Sequence, residues 1–223
     1  MKVSIIIPVY NERATIDEVV HRVKQVDVEK EIVVVDDCST DGTAQRLEHA
    51  EGINVIYTAS NEGKGAAIRA GLQEVTGDIV VIQDADLEYW PEDIPKLIEP
   101  IISGQADVVY GSRFLKRRPY MRWQNYLANK ILAMTASVLY RRRITDEATC
   151  YKAFRTDIVR SIKLECKRFE FCPEVTAKLM KRGVRYQEVP IRYRARSLSQ
   201  GKKIRAWDGV IALWTLLKYR FCG

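Results

Sequence analysis

The first half of the chain alternates short apolar runs with amphipathic stretches. The apolar runs are rich in Val and Ile, have no polar face, and cover residues 3–9, 31–35, 53–57, 79–82 and 107–110. Such runs are typical of parallel strands that are buried on both faces. The stretches between them carry apolar residues at helical spacing, over residues 12–26, 42–49, 65–75 and 91–102. This alternation predicts an α/β fold in which helices flank a mostly parallel, Rossmann-like sheet.

The second half of the chain is less regular. Its pattern predicts a long helix, a strand, a helix, a strand and a closing amphipathic helix, over residues 119–143, 150–154, 173–182, 185–193 and 204–223. We see no linker between these elements. We therefore expect residues 1–203 to form one domain, made of an N-terminal half (1–112) and a C-terminal half (113–203), with residues 204–223 as a C-terminal amphipathic helix.

None of the apolar runs approaches the ~18–20 uncharged residues that a membrane-spanning helix requires. The five cysteines are scattered, without a close CxxC pair, which argues against a disulfide framework and a zinc site. We therefore expect a cytoplasmic protein that is soluble or peripherally attached to a membrane. Both histidines fall in helical patterns, so the chemistry is expected to depend on carboxylates and cations.

The net charge of +7 conceals two oppositely charged halves. Residues 1–112 contain 9 Lys and Arg against 21 Asp and Glu, whereas residues 113–223 contain 27 against 8. An acidic half beside a basic half suits an enzyme that binds a metal ion, phosphate groups and an anionic acceptor. A nucleic-acid-binding surface is the alternative explanation for the basic half.

Two pairs of carboxylates follow predicted strands. Asp84 and Asp86 come after the strand at 79–82, and Glu88 adds a third oxygen ligand at the same spacing. Such a set suits Mg²⁺ or Mn²⁺, which bind a few carboxylates together with substrate phosphates; an acidic surface loop is the alternative. Asp36 and Asp37 end the strand at 31–35, where a carboxylate can accept hydrogen bonds from a base or a ribose.

Glycines mark one further candidate site. Residues 61–65, Asn-Glu-Gly-Lys-Gly, open a predicted helix, where a glycine-rich turn can either cradle a phosphate or simply form a tight cap. The first strand is followed by Pro-Val-Tyr-Asn instead of the glycine fingerprint of dinucleotide-binding enzymes. This nearly excludes a dinucleotide-dependent oxidoreductase.

Five segments within the first 114 residues resemble, in order and spacing, the motifs of inverting family 2 glycosyltransferases of the GT-A fold. They are SIIIPVYNE (4–12), VVVDDCSTDGT (33–43), NEGKGAAIRAG (61–71), GDIVVIQDADLE (77–88) and VVYGSRF (108–114). The likeness is greatest to dolichol- and polyprenyl-phosphate mannose or glucose synthases. TDEATCYKAFR (145–155) and EVPIRYRAR (188–196) resemble the same group more loosely. The Gln-x-x-Arg-Trp signature of processive synthases is absent, which disfavours processive synthesis.

The resemblance implies a site for each substrate. The nucleotide-sugar donor would be held by Pro8, Tyr10, Glu12, Asp36, Asp37 and Asp84, and Lys64 and Lys202 are further candidates for donor binding. Mg²⁺ or Mn²⁺ would be bound by Asp84, Asp86 and Glu88, the last of which is Gln in some relatives. Arg113, in the Gly-Ser-Arg segment, would contact the acceptor phosphate.

The implied reaction is metal-dependent, inverting transfer of a hexose, with mannose favoured, to a polyprenyl or dolichyl phosphate. GDP-mannose and UDP-glucose are both compatible donors. A lipid phosphate is already an anion and needs no strong base, whereas a hydroxyl acceptor would need one, for which Asp146 is the candidate. Asp86, Arg113 and Asp146 are therefore the predicted catalytic residues. A saccharide hydroxyl acceptor and, from another class, a basic nucleic-acid-binding protein are the alternatives.

Two predicted helices carry broad apolar faces beside cations. The face of the closing helix comprises Trp207, Val210, Ile211, Trp214, Leu217 and Phe221, and that of the long helix comprises Trp123, Leu127, Ile131, Met134 and Val138. Either face could pack on the core or lie on a membrane surface. We expect the second, at the cytoplasmic face of the membrane and without nucleic acid as a partner. A membrane-anchoring protein partner is also possible.

Overall fold

A mixed β-sheet runs through the centre of the computed structural model, which describes residues 1–116, 119–196 and 206–222. Within these ranges the sheet has seven strands in the order β3-β2-β1-β4-β6-β5-β7. The strands are β1 Val3–Val9, β2 Lys30–Asp36, β3 Asn54–Tyr57, β4 Ile79–Ile82, β5 Val108–Ser112, β6 Lys152–Arg155 and β7 Tyr186–Pro190. The mostly parallel α/β sheet that the sequence predicts is thus confirmed.

Helices cover both faces of the sheet. They are α1 Ile16–Gln25, α2 Thr43–Glu48, α3 Lys64–Glu74, α4 Ile94–Ile102, α5 Trp123–Tyr140, α6 Thr156–Arg160, α7 Phe171–Lys181 and α8 Ala206–Phe221. The predicted helix at 91–102 begins as a 3₁₀ turn, Pro91–Asp93, before α4. The short α6 was not predicted, since it has too few residues for a helical repeat to be visible.

Alternate residues of each strand enter two different cores. Ile5 and Ile7 pack with α1 and α4 on one face, whereas Ile6 packs with α3 and α7 on the other. All three side chains are fully buried. Fully burying a side chain of this size contributes ~1.5–3 kcal/mol, so the absence of a polar face in these strands is explained by the two layers of helices.

Strand β6 runs antiparallel to both of its neighbours, β4 and β5. The other pairs, β1 with β2 and β4, β2 with β3, and β5 with β7, are parallel. Because β6 is reversed, its beginning lies at the edge where β1, β2, β4 and β5 end. The loop before β6 therefore reaches the same edge as the residues that follow those strands, which the sequence pattern did not predict.

A crevice opens at this edge of the sheet, where β1 extends beyond the end of β4. The pairing of these two strands ends at Ile6 with Ile82, while β1 continues along β2 to Val9. The Asp37 amide donates to the Val9 carbonyl (2.8 Å), and the Gln83 amide donates to the Ile6 carbonyl (2.9 Å). The backbone N–H and C=O groups of successive β1 residues point alternately toward β2 and toward β4. The Pro8 nitrogen therefore points toward the β4 side, beyond the last residue pair of β1 and β4. Its missing N–H removes no sheet hydrogen bond there.

The long helix of the second half is shorter than predicted. The sequence pattern extends over residues 119–143, but α5 spans Trp123–Tyr140. Arg122 has an extended backbone (ψ 140°), and Arg141 is left-handed (φ 54°), so neither continues the helix. The three arginines at 141–143 consequently lie after the helix and are exposed, instead of forming its last turn.

The closing helix packs on α5 and α7 through one face only. Ala212, Leu216 and Tyr219 form a small core with residues of α5 and α7, and the Tyr140 hydroxyl donates to the Leu216 carbonyl (2.7 Å). In the ranges that the structure describes, no helix is both long and apolar enough to cross a bilayer. The predicted boundary at residues 203 and 204 lies outside the described residues.

The opposite faces of α5 and α8 are exposed. On α5 the predicted apolar face is open to solvent, with Trp123 64% and Val138 72% exposed. On α8, Trp207 is 69% and Trp214 65% exposed. The remaining exposed apolar residues of the two faces are Leu127, Ile131, Met134, Val210, Leu217 and Phe221. Of the predicted residues only Ile211 is half-buried, so these faces do not pack on the core of the described chain.

Candidate active site

Most of the predicted site residues lie along the carboxyl edge of the sheet. Tyr10 follows β1, Asp36 ends β2, Asp84 follows β4, and Arg113 follows β5. Parallel strands end at one edge, so residues that are far apart in sequence meet there. Lys202, predicted to bind the donor, lies outside the described residues.

The loop that carries Asp84 and Asp86 concentrates negative charge. Leu87 adopts a left-handed conformation (φ 61°), and the amide of Glu88 donates to Asp86 Oδ1 (3.0 Å). Burial, followed by the neighbouring Asp84 and Glu88 carboxylates, raises the pKa of Asp86 to about 7. The ionised form of a half-buried carboxylate among like charges is electrostatically unfavourable, and a bound cation would stabilise it.

Lys64 supplies one counter-charge to this loop. Its ammonium forms an ion pair and a hydrogen bond with Asp84. Burial alone would lower the pKa of Lys64, but the Asp84 carboxylate raises it well above its usual value. Lys64 is the first residue of α3, so the turn before that helix fixes where this charge stands.

Arg196 supplies a second counter-charge, which the sequence analysis missed. Its Nη2 pairs with Glu12 Oε2 (2.6 Å), its Nε donates to the Asp86 carbonyl (2.7 Å), and its amide donates to Glu88 Oε1 (2.7 Å). It therefore links a predicted nucleoside-binding residue to the acidic loop. Arg196 is one of many cations in the basic half, and its position at the end of the loosely matching segment 188–196 is the one local signal that could have identified it.

The donor set of this loop suits a hard divalent cation. Asp84 and Asp86 offer carboxylate oxygens, and Asp86 stands among excess negative charge, which a divalent ion would neutralise. Glu88 lies beside them, but its oxygens accept hydrogen bonds from the Tyr193 hydroxyl (2.8 Å) and from Arg196. Within the described ranges, no three His, Cys, Asp or Glu side chains form a ready-made metal cluster. Asp84 and Asp86 thus fit a metal that is completed by substrate oxygens.

Asp36 and Asp37 are almost fully buried and hold the loops of the predicted nucleoside region. Asp37 accepts hydrogen bonds from the amides of Glu62 (2.9 Å) and Gly63 (2.7 Å), and Asp36 accepts one from the hydroxyl of Ser39. Both aspartates therefore shape the crevice through the backbone. Binding to a nucleoside, as predicted for them, would use the oxygen lone pairs that remain.

Asp37→Asn should lower the free energy of unfolding by about 1–3 kcal/mol, because an amide cannot accept both backbone N–H groups on its two side-chain heteroatoms. Urea unfolding of purified protein measures this difference. Asp27→Asn is the matched control, since Asp27 is exposed, and it should unfold like the unsubstituted protein. Equal stability of the two variants would show that Asp37 does not hold the turn.

The glycine-rich turn at residues 61–65 acts as a tight cap. The amides of Gly65 and Ala66 donate to the Arg168 (3.1 Å) and Lys167 (3.0 Å) carbonyls, so they are not directed at a ligand. Gly63 has φ +96°, and a Cβ there would meet the Lys167 carbonyl oxygen at 2.7 Å. The structure therefore supports the tight-turn alternative over the phosphate cradle. The turn contributes to the site only by positioning Lys64 beside Asp84.

Arg113 and Asp146 form a buried pair on the predicted acceptor side. Arg113 Nε and Nη2 each donate to an Asp146 oxygen (2.7 Å), and the Arg113 amide donates to Asp146 Oδ2 (2.9 Å). Asp146 is fully buried in the loop before β6. Both carboxylate oxygens of the predicted base are therefore already occupied by hydrogen bonds from the Arg113 side chain.

The pair is also connected to the predicted metal loop. Nη2 of Arg113 also reaches Asn129 of α5 (3.3 Å), and its guanidinium carbon lies 4.9 Å from the ring centre of Tyr193. The hydroxyl of that same Tyr193 donates to Glu88 in the acidic loop (2.8 Å). One tyrosine therefore spans the distance between the predicted metal loop and the predicted acceptor arginine.

Comparison with protein families and curated proteins gives consistent results. The model described as "Glycosyl transferase family 2" matches residues 4–163. A dolichol-phosphate mannosyltransferase of Pyrococcus furiosus is 36% identical over 92% of this chain, but the chain spans only 61% of that relative's length. An undecaprenyl-phosphate mannosyltransferase of Micrococcus luteus is 31% identical, with 99% of both chains covered.

Solved structures show the same fold. Glucosyl-3-phosphoglycerate synthase from Mycobacterium tuberculosis, crystallised with Mn²⁺, uridine diphosphate and phosphoglyceric acid, has a TM-score of 0.78 and 21% sequence identity. The alignment covers 100% of this chain and 79% of that one. The predicted GT-A fold is therefore confirmed.

Proposed function

The chain belongs to glycosyl transferase family 2, and on that premise we propose that it transfers a hexose, with mannose favoured, from a nucleoside diphosphate sugar to a polyprenyl phosphate. Two of its relatives carry the names of dolichol- and undecaprenyl-phosphate mannosyltransferases. The observation that carries the proposal is the bridge through Tyr193, which contacts both Arg113 and Glu88. An anion bound at Arg113 would thus lie close to a diphosphate bound at the acidic loop.

On the donor side, Asp84 and Asp86 would hold a divalent metal, Mg²⁺ or Mn²⁺. When bound, that ion would neutralise the diphosphate leaving group. Lys64 and Arg196 already stand beside these carboxylates. With a divalent metal bound to those carboxylates, both cations would be available to contact phosphate oxygens. Pro8, Tyr10, Glu12, Asp36 and Asp37 would line the nucleoside end of the crevice. GDP-mannose and UDP-glucose remain the two candidate donors.

On the acceptor side, Arg113 would bind the lipid phosphate. Its Nε and Nη2 are directed at Asp146, and Nη1 makes no hydrogen bond within the described chain, so Nη1 is the nitrogen to meet an anion. An ionised phosphate oxygen attacks the anomeric carbon from the face opposite the diphosphate, whose bond to the sugar breaks, so the configuration inverts. No proton has to be removed. Asp146 then acts as a positioning residue for Arg113, and a base role would return only with a hydroxyl acceptor.

A transfer assay with purified protein and Mn²⁺ tests this proposal. GDP-mannose and UDP-glucose are each offered with a polyprenyl phosphate and, separately, with saccharide acceptors. We expect a glycosylated lipid phosphate from one of the two donors. Transfer to a saccharide hydroxyl alone would instead support the alternative acceptor and would restore Asp146 as the candidate base.

Several cations of the basic half form pairs within the described part of the fold. Arg185 pairs with Asp107 (2.6 Å), Arg192 pairs with Asp93 (3.0 Å), and Arg160 donates to the carbonyls at the end of α3. An electrostatic nucleic-acid surface needs cations that are available to backbone phosphates. These pairings reduce the charge available to a nucleic acid, and the match to glycosyl transferase family 2 favours the enzyme over the nucleic-acid-binding alternative.

We further propose that α5 and α8 bind the cytoplasmic face of the membrane, where a lipid phosphate would be found. Their exposed faces carry three tryptophans, whose rings suit the interface between head groups and acyl chains. Cations lie near the C-terminal ends of both helices. The Arg220 guanidinium carbon of α8 lies 5.9 Å from the ring centre of Tyr140, the last residue of α5, which the exposed arginines at 141–143 follow. Asn129 of α5 also contacts Arg113, so the surface would adjoin the acceptor site.

Trp207→Glu combined with Trp214→Glu should shift the protein from bound to free in co-sedimentation with anionic vesicles at low salt. Each substitution removes an interfacial ring and adds a charge that anionic lipid repels. Ile102→Glu is the matched control, since Ile102 is 52% exposed at the end of α4, a helix that packs in a different core from α5 and α8. Binding of the unsubstituted protein should weaken as salt rises, since each cation near the surface adds ~1 kcal/mol. Unsubstituted protein left in the supernatant would point to a membrane-anchoring partner instead.

A further inference from the structure

Two thiols lie side by side behind the acidic loop. The sulfur atoms of Cys150 and Cys172 are 3.8 Å apart. Cys150 belongs to the loop before β6, and Cys172 belongs to the first turn of α7. Both are free cysteines, with Cys150 half-buried and Cys172 buried. Their proximity depends on the reversed direction of β6. The two cysteines are far apart in sequence and show no CxxC spacing.

The surroundings of the two thiols differ. The hydrogen bond from Cys172, together with the nearby Lys64 ammonium, lowers the pKa of the Cys150 thiol, whereas the hydrogen bond to Cys150 and burial raise the pKa of Cys172. The Thr149 carbonyl, 3.4 Å from Cys172 Sγ, is a second acceptor within reach of the same S–H. The more accessible thiol is thus the better nucleophile, and the buried one is placed to resolve a bond formed on it, which is the arrangement found at redox-active cysteine pairs.

We propose that Cys150 and Cys172 form a reversible dithiol–disulfide modification site whose oxidant is a low-molecular-weight disulfide. The Cys150 thiolate attacks one sulfur of the small disulfide, and the other sulfur leaves as a thiolate, which takes up a proton. The Cys172 sulfur, after losing its proton, then attacks Cys150, and the second small thiol leaves. Two protein thiols and one small disulfide become one protein disulfide and two small thiols, so atoms and electrons balance.

Closing this bond requires the sulfur atoms to approach by roughly 2 Å, since a disulfide measures about 2.05 Å. The loop that carries Cys150 is expected to make this movement, because Cys172 is held in a helix. The Cys150 amide donates to the Tyr89 hydroxyl (3.4 Å), and the Tyr89 ring lies 5.5 Å from that of Tyr193. Oxidation therefore moves the Cys150 loop and, through Tyr89, disturbs the Tyr193 ring, whose hydroxyl donates to Glu88. This consequence for donor binding rests on the proposed function.

Peptide mapping tests the site without any activity measurement. The reduced full chain is incubated with oxidised glutathione under native conditions, alkylated and digested with trypsin. The expected product is ITDEATCYK (144–152) linked to FEFCPEVTAK (169–178), which dithiothreitol should separate again. Cys222 is exposed and serves as the positive control for reaction with glutathione. In Cys172→Ser protein, Cys150 should remain as the mixed disulfide.

Free Cys150 and Cys172 beside a modified Cys222 would overturn the proposal, as would a cross-link that forms only after denaturation. The linked protein should also bind nucleoside diphosphate with Mn²⁺ about tenfold more weakly, as expected when groups behind a metal site move, and dithiothreitol should restore binding. Unchanged binding in the linked protein would overturn the coupling to the acidic loop. Absence of sugar transfer would leave the peptide result intact, so the two proposals fail separately.

Discussion

Asp86→Asn should lower kcat/KM for sugar transfer on the order of 10³-fold, since the loss of a metal ligand removes the charge that stabilises the leaving diphosphate. Asparagine keeps the shape of the side chain and can still accept the hydrogen bond from the Glu88 amide. It loses the negative charge, which is what a divalent cation requires. Transfer rates measured over a range of Mn²⁺ concentrations separate a weaker metal site from a slower chemical step.

The stability of this variant is part of the test. In the metal-free protein the Asp86 carboxylate stands among like charges, so Asp86→Asn should not lower Tm. Asp27→Asn, at an exposed position, should change neither Tm nor rate. Excess chelator should lower the activity of the unsubstituted protein to the level of the variant. Full activity in chelator would contradict the metal role of this loop.

Arg113→Lys should raise KM for the lipid phosphate by about 10²-fold while leaving KM for the donor nearly unchanged, because displacement of a binding group by ~1 Å can cost that much. Lysine keeps the positive charge beside the buried Asp146 but cannot make the two parallel hydrogen bonds that hold the guanidinium. The charge would therefore shift relative to the acceptor. Initial rates with each substrate varied in turn measure the two KM values.

A second pair in the same chain provides the control. Arg155 and Asp157 form the same two-bond contact at the surface, with Nη2–Oδ2 at 2.7 Å, so Arg155→Lys should leave both KM values unchanged. Asp146→Ala should lower the free energy of unfolding by about 3–5 kcal/mol, because it leaves the Arg113 charge buried without its partner. If Arg113→Lys affects donor KM instead, Arg113 belongs to the nucleotide site.

The strands of the first half were predictable within one or two residues. β1 and β4 have the predicted bounds, Val3–Val9 and Ile79–Ile82. Their signal is local, since a buried parallel strand must be apolar on both faces, and this is visible in a run of a few residues. Helix ends were less predictable. The α5 pattern continues past Tyr140, and only the backbone of Arg141 ends the helix.

The residue types of the candidate site were also visible in the sequence, but their partners were not. Asp84, Asp86 and Arg113 follow strands, as predicted, because a strand end is a local feature. Glu12 was assigned to the nucleoside, yet it pairs with Arg196, 184 residues away. Asp146 was the candidate base, yet it holds Arg113, 33 residues away. A contact across such a separation leaves no periodic signal in one sequence.

Local patterns are therefore sufficient to predict the α/β class, the order of most elements and the placement of the acidic loop after a buried strand, because hydrophobic period and motif spacing act over a few residues. The direction of β6, which brings Asp146 and Cys150 to the carboxyl edge of the sheet, depends on long-range packing. Long-range packing likewise decides which face of α8 is exposed. Both faces are apolar, and only packing against α5 and α7 buries Leu216 while it leaves Trp214 in solvent.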